Sequence, residues 1–233
     1  MDTPSGPILI VDAGHGVGPH LASLLGERGF DVVAWVTGEC VGLREQAASV
    51  QWLHDASIDT LDTDLLTSAT AVIFNVSAVD EAALITRGGL ADAIAADGAF
   101  FMQTLQAVSR VMIGRGRGQI WVLAADDSFA YYLPLPAAPI IHHTRIGAVR
   151  AIAKELARFG VSANAAVLQP APETTQAGDW QQARTGVGSY AQKFKPVPLA
   201  LAADTLAFWI SRETLPMNGS VVHFGNGIYD GNV

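Results

Sequence analysis

The sequence has little of several things that define whole classes of protein. Its 233 residues include one cysteine, Cys40, which excludes an internal disulfide framework and a cysteine-rich metal site. No apolar run approaches the length of about 18 residues that predicts a membrane span. The 14 basic residues face 22 acidic ones, and the formal charge of -8 argues against a nucleic-acid partner. The first residues lack the basic region of a signal peptide, so we expect a soluble, cytoplasmic protein.

What the sequence does contain is apolar character. Hydrophobic residues make up 50% of the chain and charged residues 15%, and the mean hydropathy is +0.29. This composition excludes disorder and predicts one large core, which fits a single domain over residues 1–233. Because the mean hydropathy is high for a monomer, we expect apolar surface that faces another subunit.

Short apolar runs alternate with segments of helical spacing along the chain. This alternation is typical of βαβ units, and it predicts an α/β protein with one Rossmann-like, doubly wound parallel sheet. The third strand is predicted at 57–61, after a helix over 41 to about 54. A long helical pattern over 81–115 is interrupted near Gly88-Gly89. Residues 169–200 are rich in Pro, Gly, Gln and Thr, and we interpret them as a substrate loop or lid.

Five stretches carry recognisable motifs in a consistent order: Val11-Asp-Ala-Gly-His-Gly-Val-Gly18, Phe74-Asn-Val-Ser77, Arg150-Ala-Ile-Ala-Lys-Glu-Leu156, Val161-Ser-Ala-Asn-Ala165 and Asn218-Gly-Ser-Val-Val-His-Phe-Gly225. In this order they resemble the short-chain dehydrogenase/reductase family over essentially the whole chain. The resemblance implies the family's parallel sheet. Because the spacing from strand three to Asn75 is short, one crossover is expected to be shortened.

The family's catalytic residues are missing from the positions where the resemblance implies them. The family uses a Tyr with a Lys four residues later, a Ser after strand five and an Asn on the preceding helix. No tyrosine of this chain has a lysine four residues on. Matching the helix backwards places Ala138 at the Tyr position and His142 at the Lys position. The Ser position falls on Ala124 or Ala125, and the Asn position near Ala95.

The nucleotide site that the resemblance implies is also altered. Its candidate residues are Gly14, Gly16, Gly18, Asp62 and Asn75, but Asp12 stands where the family has its first glycine, and a carboxylate repels a diphosphate. No acidic residue for the adenosine ribose follows strand two directly. Because no basic residue stands near that strand end, NADP is not expected. The cofactor is therefore either NAD or none, and the glycines are equally consistent with a tight turn that binds no nucleotide.

Three residues are candidates for replacement chemistry: His142, Asp127 and Tyr132. His142 is either a base or substrate contact, or a polar residue at a helix start beside a subunit interface. Asp127 is either an acid/base carboxylate or part of a solvated turn. The adjacent His142 and His143 point about 100° apart on a helix, and no other metal-binding spacing occurs, so no metal is expected.

Three functions remain open on the sequence alone. The first is a catalytically degenerate subunit, similar in kind to the inactive subunit of heteromeric family members such as hydroxybenzylsuccinyl-CoA dehydrogenase. It would pair with an active paralogue, as a homo- or hetero-tetramer formed through helices near 93–114 and 140–157. The second is an NAD-dependent oxidoreductase with atypical residues. The third is a cofactor-free lyase, hydratase or isomerase.

Overall fold

Seven parallel strands form one sheet in the computed structural model, which describes residues 6–37, 50–54, 68–127, 136–174, 179, 181–182 and 196–225. The strand order is β3-β2-β1-β4-β5-β6-β7. The predicted Rossmann-like sheet is thereby confirmed. The strands are β1 (Ile8–Val11), β2 (Val32–Val36), β3 (Val50–His54), β4 (Ala71–Phe74), β5 (Gly118–Ala125), β6 (Val161–Leu168) and β7 (Val221–Phe224).

Helices cover both faces of this sheet, which is why the central strands read as continuous apolar runs. Successive side chains along β1 point alternately into two separate cores, one beneath each helical layer. The helices are α1 (Gly18–Glu27), α2 (Glu81–Arg87), α3 (Leu90–Arg115), α4 (Pro139–Ala157) and α5 (Leu199–Ile210). Helices α1 and α5 bury their apolar faces in one core, and α3 and α4 bury theirs in the other.

The predicted interruption of the long helical pattern near Gly88 is confirmed. Gly88 and Gly89 have φ values of +88° and +92°, and they separate α2 from α3. Left-handed backbone suits glycine, which carries no Cβ. The two glycines therefore end one helix and allow the next to start in a new direction.

The third strand lies earlier than the sequence predicted. Residues 50–54 were expected to end a helix, but they form β3, which pairs with β2 through Val50 and Val32. Two causes act together. Val50 and Trp52 suit a pleated surface better than a helix, and β2 provides a strand edge with which these residues pair. The proposed strand at 57–61 and the crossover at 55–67 lie outside the described residues.

The carboxyl ends of the strands meet at one edge, and the chain reverses its direction of winding there. From β1 the sheet extends through β2 to β3 on one side, and β4 then pairs with β1 on the other side. The gap between the loops after β1 and β4 is the topological switch point where such sheets bind ligands. None of the described helices is long and apolar enough to cross a membrane.

Candidate functional site

The turn from β1 to α1 contains an unusual backbone conformation at Asp12. Its φ is +60°, the only positive φ of a described residue other than glycine. This conformation costs an L-residue about 1 kcal/mol or more, although Asp tolerates it better than most. Gly16 also has a positive φ, of +56°. The turn therefore keeps its left-handed backbone with an acidic side chain at the position of the family's first glycine.

Gly18 and Asn75 fasten this turn to β4. A Cβ on Gly18 would lie 2.7 Å from the carbonyl oxygen of Ala13 and 2.8 Å from Nδ2 of Asn75. Nδ2 of Asn75 donates to the carbonyl oxygens of Asp12 and His15, both at 2.9 Å. Asn75 is fully buried; its amide nitrogen is committed to holding the backbone, whereas its Oδ1 has no hydrogen-bond partner among the described residues. These two residues thus support the turn from behind.

The side chains of Asp12 and His15 reach across the sheet edge in opposite directions. The Thr37 hydroxyl, directly after β2, donates to Oδ1 of Asp12 at 2.7 Å. Nε2 of His15 lies 2.7 Å from the carbonyl oxygen of Val76, in the loop after β4. Because a carbonyl oxygen only accepts, Nε2 carries the proton in this bond. The Nδ1 atom of His15 lies 3.9 Å from Oδ1 of Asp12.

A cavity of about 350 Å³ opens beside this turn, at the carboxyl edge of the sheet. Most of its lining is apolar, including Ala138, at the Tyr position implied by the family resemblance, and Ala125, one of the two candidates for the Ser position. None of its described lining residues is Tyr, Lys or Arg. Its polar side chains come from His15, Ser77, Asp126, Asp127, His142, Gln169 and Thr174.

His142 enters this cavity from the first turn of α4 as a neutral imidazole. Only 3% of the residue is exposed, and its Nε2 accepts a hydrogen bond from the amide of Ser77 at 3.1 Å. The proton of the ring is therefore on Nδ1. Burial, together with the charge of Arg145 and the neighbouring His143, lowers the pKa of His142 to about 3. An imidazole in this state is a poor general base at neutral pH.

A buried ion pair, which sequence reasoning missed, joins α3 to α4 next to this site. Nη2 of Arg145 lies 2.5 Å from Oδ1 of Asp97, and its Nε donates to Oδ2 at 3.3 Å. Nη1 of Arg145 donates to the carbonyl oxygen of Asn75 at 2.9 Å. The Arg145 side chain is 6% exposed and that of Asp97 13%. The only signal in the sequence was an acidic residue within an alanine-rich helical run.

Glu81 is a second residue that the sequence did not single out. It is 2% exposed, and its carboxylate accepts from the amides of Ile140 and Ile141 at 3.0 and 2.9 Å. These amides belong to the first turn of α4, which has no intrahelical acceptors for them. A carboxylate at a helix N-terminus also suits the helix dipole. Glu81 therefore fixes the start of the helix that carries His142.

The other sequence candidates are distributed unevenly around the site. Asp127 lines the cavity, and its Oδ2 lies 3.2 Å from Nε2 of the exposed His143. Gly16 lines the cavity too, whereas Gly14 lies in the turn without a positive φ. Tyr132, Asp62 and most of the lid at 169–200 lie outside the described residues.

The side chains at the turn do not fit a dinucleotide, the ligand that this fold implies. A diphosphate would lie in the crevice at the N-terminus of α1, where the His15 imidazole spans to Val76. The carboxylate of Asp12 would face the same anion. Behind the turn, Arg145 already donates to Asp97 and to a backbone carbonyl. In the described ranges, no group of three or more His, Cys, Asp or Glu residues could hold a metal ion.

Comparison with known proteins identifies the fold. Neither a family model nor a curated protein sequence matches the chain. Among solved structures, acetoin dehydrogenases from Salmonella typhimurium and Enterobacter cloacae superimpose with a TM-score of 0.67 each. Their identities are 17% and 16%, each alignment covers 94% of this chain, and they span 95% and 94% of the other chains.

An actinorhodin polyketide ketoreductase with NADPH gives a TM-score of 0.69 at 18% identity, over 96% of this chain and 97% of the other. At these identities the likeness establishes the fold and leaves the activity open. The chain therefore has the Rossmann-like fold of the short-chain dehydrogenases and reductases, as the resemblance in its motifs predicted.

Proposed function

We propose that this chain is a non-catalytic subunit with a short-chain dehydrogenase/reductase fold. It assembles in the cytoplasm with an active, NAD-dependent dehydrogenase of the hydroxyacyl or hydroxyacyl-CoA type, as its structural or regulatory partner. The observation that carries this proposal is the pair of residues Ala138 and His142. They occupy the positions at which the resemblance implies the family's Tyr and Lys.

Neither residue can perform the chemistry that those positions require. Reduction of a carbonyl needs an acid whose pKa lies near neutral, next to a cation that stabilises its anion. Ala138 has no ionisable group, although it lines the cavity. His142 is held neutral, since burial lowers its pKa to about 3. This arrangement supports loss of the reaction together with retention of the fold.

The outer faces of α3 and α4 support assembly with another subunit. Both faces present small or uncharged residues to solvent in the single chain, and Met102 and Ile140 are 52% and 46% exposed. A surface of this kind allows two helix pairs to approach closely. The uncharged exposed residues include Ala95, Ala99, Met102 and Gln106 on α3, and Ile140, Thr144, Gly147 and Ala151 on α4; the same helices also expose Asp92, Arg110, Arg150, Lys154 and Glu155.

Co-expression with a dehydrogenase encoded by a neighbouring gene tests this proposal. The partner should carry an intact Tyr-x-x-x-Lys motif, and the two chains should co-purify as a hetero-oligomer of defined mass. Gly147→Arg should abolish co-purification, because a long charged side chain would hold the two helix pairs apart. A Cβ at Gly147 meets open space in the single chain, so the substitution should leave the fold intact. Gln51→Arg, at the exposed far edge of the sheet, serves as the matched control.

Two results would contradict the proposal. The first is that only homo-oligomers form in the presence of every neighbouring dehydrogenase, with Gly147→Arg behaving as the wild type does. The second is turnover of a carbonyl substrate by the chain alone with NADH, together with micromolar NADH binding. That second result would favour the NAD-dependent oxidoreductase with atypical residues.

The preserved cavity favours one alternative, a cofactor-free lyase, hydratase or isomerase that acts on an acyl substrate. Asp126 and Asp127 both line the cavity, and Asp126 is 8% exposed. A carboxylate in an apolar cleft is a suitable base for proton abstraction. On this alternative, Asp126→Asn or Asp127→Asn abolishes turnover of the acyl substrate, whereas the exposed control Asp92→Asn does not. Equal turnover by all three variants would remove both carboxylates from the mechanism.

A further inference from the structure

The switch-point crevice is bridged by the protein's own side chains. The edge clasp consists of Asp12, His15 and Thr37, together with the carbonyl group of Val76. The bond from Thr37 to Asp12 joins the end of β2 to the end of β1 at 2.7 Å. The bond from His15 to Val76 joins the turn after β1 to the loop after β4 at 2.7 Å. The clasp thus connects three adjacent strands at the edge where ligands enter.

Each bridge lies where a dinucleotide would need space. The diphosphate of such a ligand sits at the helix N-terminus in the switch-point crevice, and its adenosine ribose sits near the end of β2. The His15 ring spans that crevice, and the Asp12–Thr37 pair stands at the end of β2. The carboxylate of Asp12 also adds a negative charge beside the position of a phosphate. The space filled by these side chains and the negative charge of Asp12 therefore both disfavour the binding of a dinucleotide.

The conformation of Asp12 indicates that the clasp is built into the turn. A backbone φ of +60° costs even an Asp residue free energy, which surrounding contacts can offset. Here Asn75 donates to the carbonyl oxygen of Asp12 from behind, and Thr37 donates to its carboxylate from the front. Hydrogen bonds thus hold Asp12, whose backbone is left-handed, from both sides of the turn.

We propose that the edge clasp excludes dinucleotides from this chain and takes over the bridging of β2, β1 and β4 that a bound cofactor provides in nucleotide-binding sheets. The proposal concerns this crevice alone and does not depend on a partner subunit. A chain with the clasp needs no cofactor to order its switch point. Opening the clasp should uncover a turn whose backbone is already shaped for a diphosphate, because α1 still begins at Gly18 against Asn75.

Isothermal titration of the full chain with NADH and, separately, with NADPH tests this proposal. The wild type should show no binding up to millimolar ligand. The double variant Asp12→Gly with His15→Ser should bind NADH more tightly by about tenfold or more, since it removes both the charge and the ring. The matched control is Asp31→Gly with His20→Ser, which removes an exposed acid and an exposed histidine outside the clasp.

Each outcome decides the proposal. Micromolar binding of either nucleotide by the wild type would overturn it. A folded double variant that binds no better than the control pair would also overturn it, because the exclusion would then lie elsewhere. If the double variant does not fold, Asp12→Gly alone is compared with Asp31→Gly, since glycine relieves the positive φ. Thermal unfolding of each variant with and without NADH provides a second readout.

Discussion

The buried imidazole of His142 makes the stability of this protein depend on pH in a specific window. In the folded chain its pKa is lowered to about 3, whereas an unfolded histidine titrates near pH 6.5. Below that pH the unfolded state binds a proton that the folded state does not. The stability contributed by the neutral ring is therefore complete above about pH 6.5 and is lost as the pH falls towards 3.

The size of this effect follows from the difference between the two pKa values. Each unit of pH between them is worth about 1.4 kcal/mol, so the unfolding free energy should fall by about 2 kcal/mol between pH 7 and pH 5 from His142 alone. The variant His142→Gln lacks the titrating group but can still accept the hydrogen bond from Ser77. It should consequently lose about 2 kcal/mol less than the wild type over the same interval.

Urea unfolding at several pH values, followed by tryptophan fluorescence, measures the two pH dependences. His143→Gln is the matched control, because it removes an adjacent histidine whose side chain is 61% exposed. This control should follow the wild type closely. If His142→Gln and the wild type instead lose stability in parallel, the ring is not held neutral, and the argument for a defective base fails.

Two further predictions concern the packing behind the site. Gly18→Ala should lower the unfolding free energy by about 2 kcal/mol, because its Cβ would lie 2.7 Å from the carbonyl oxygen of Ala13. Gly147→Ala, in open space on a helix, should raise the unfolding free energy by about 0.5–1 kcal/mol. Equal effects of the two substitutions on the unfolding free energy would contradict the close packing at Gly18. Asp97→Asn should cost about 3 kcal/mol in urea unfolding, because it leaves the Arg145 guanidinium buried without its counter-charge. Adding Arg145→Met should recover part of that loss, and no recovery would show that the ion pair is not the cause.

Local patterns in the sequence were sufficient for most of the fold. The β1 run, the helix break at Gly88-Gly89 and the alternation of strands with helices that predicts a parallel sheet all follow from short-range spacing of apolar residues and glycine. The third strand was placed wrongly because residues 50–54 carry no strong local period. Their strand conformation comes from pairing with β2, an interaction between segments distant in sequence.

The features of the candidate site also fall into two groups: some follow from spacing along the chain, and others depend on tertiary contacts. Counting four residues from each tyrosine was enough to show that the chain has no Tyr-x-x-x-Lys motif. No count along the chain could reveal that Arg145 pairs with Asp97, 48 residues away, or that Glu81 caps a helix 59 residues later. Such contacts depend on how α2, α3 and α4 pack, and charged residues in helical segments usually face solvent.

The sequence by itself determined the class of fold, the order of its motifs and the absence of a Tyr-x-x-x-Lys motif, because these depend on residue types at fixed spacings. Only the tertiary structure decided the state of the candidate site residues. His142 is neutral because the fold buries it against the Ser77 amide. Asp12 and His15 bridge the switch point because the sheet brings the ends of β2, β1 and β4 together there. Burial and neighbouring charge arise from contacts distant in sequence, so they could be established only once the chain was folded.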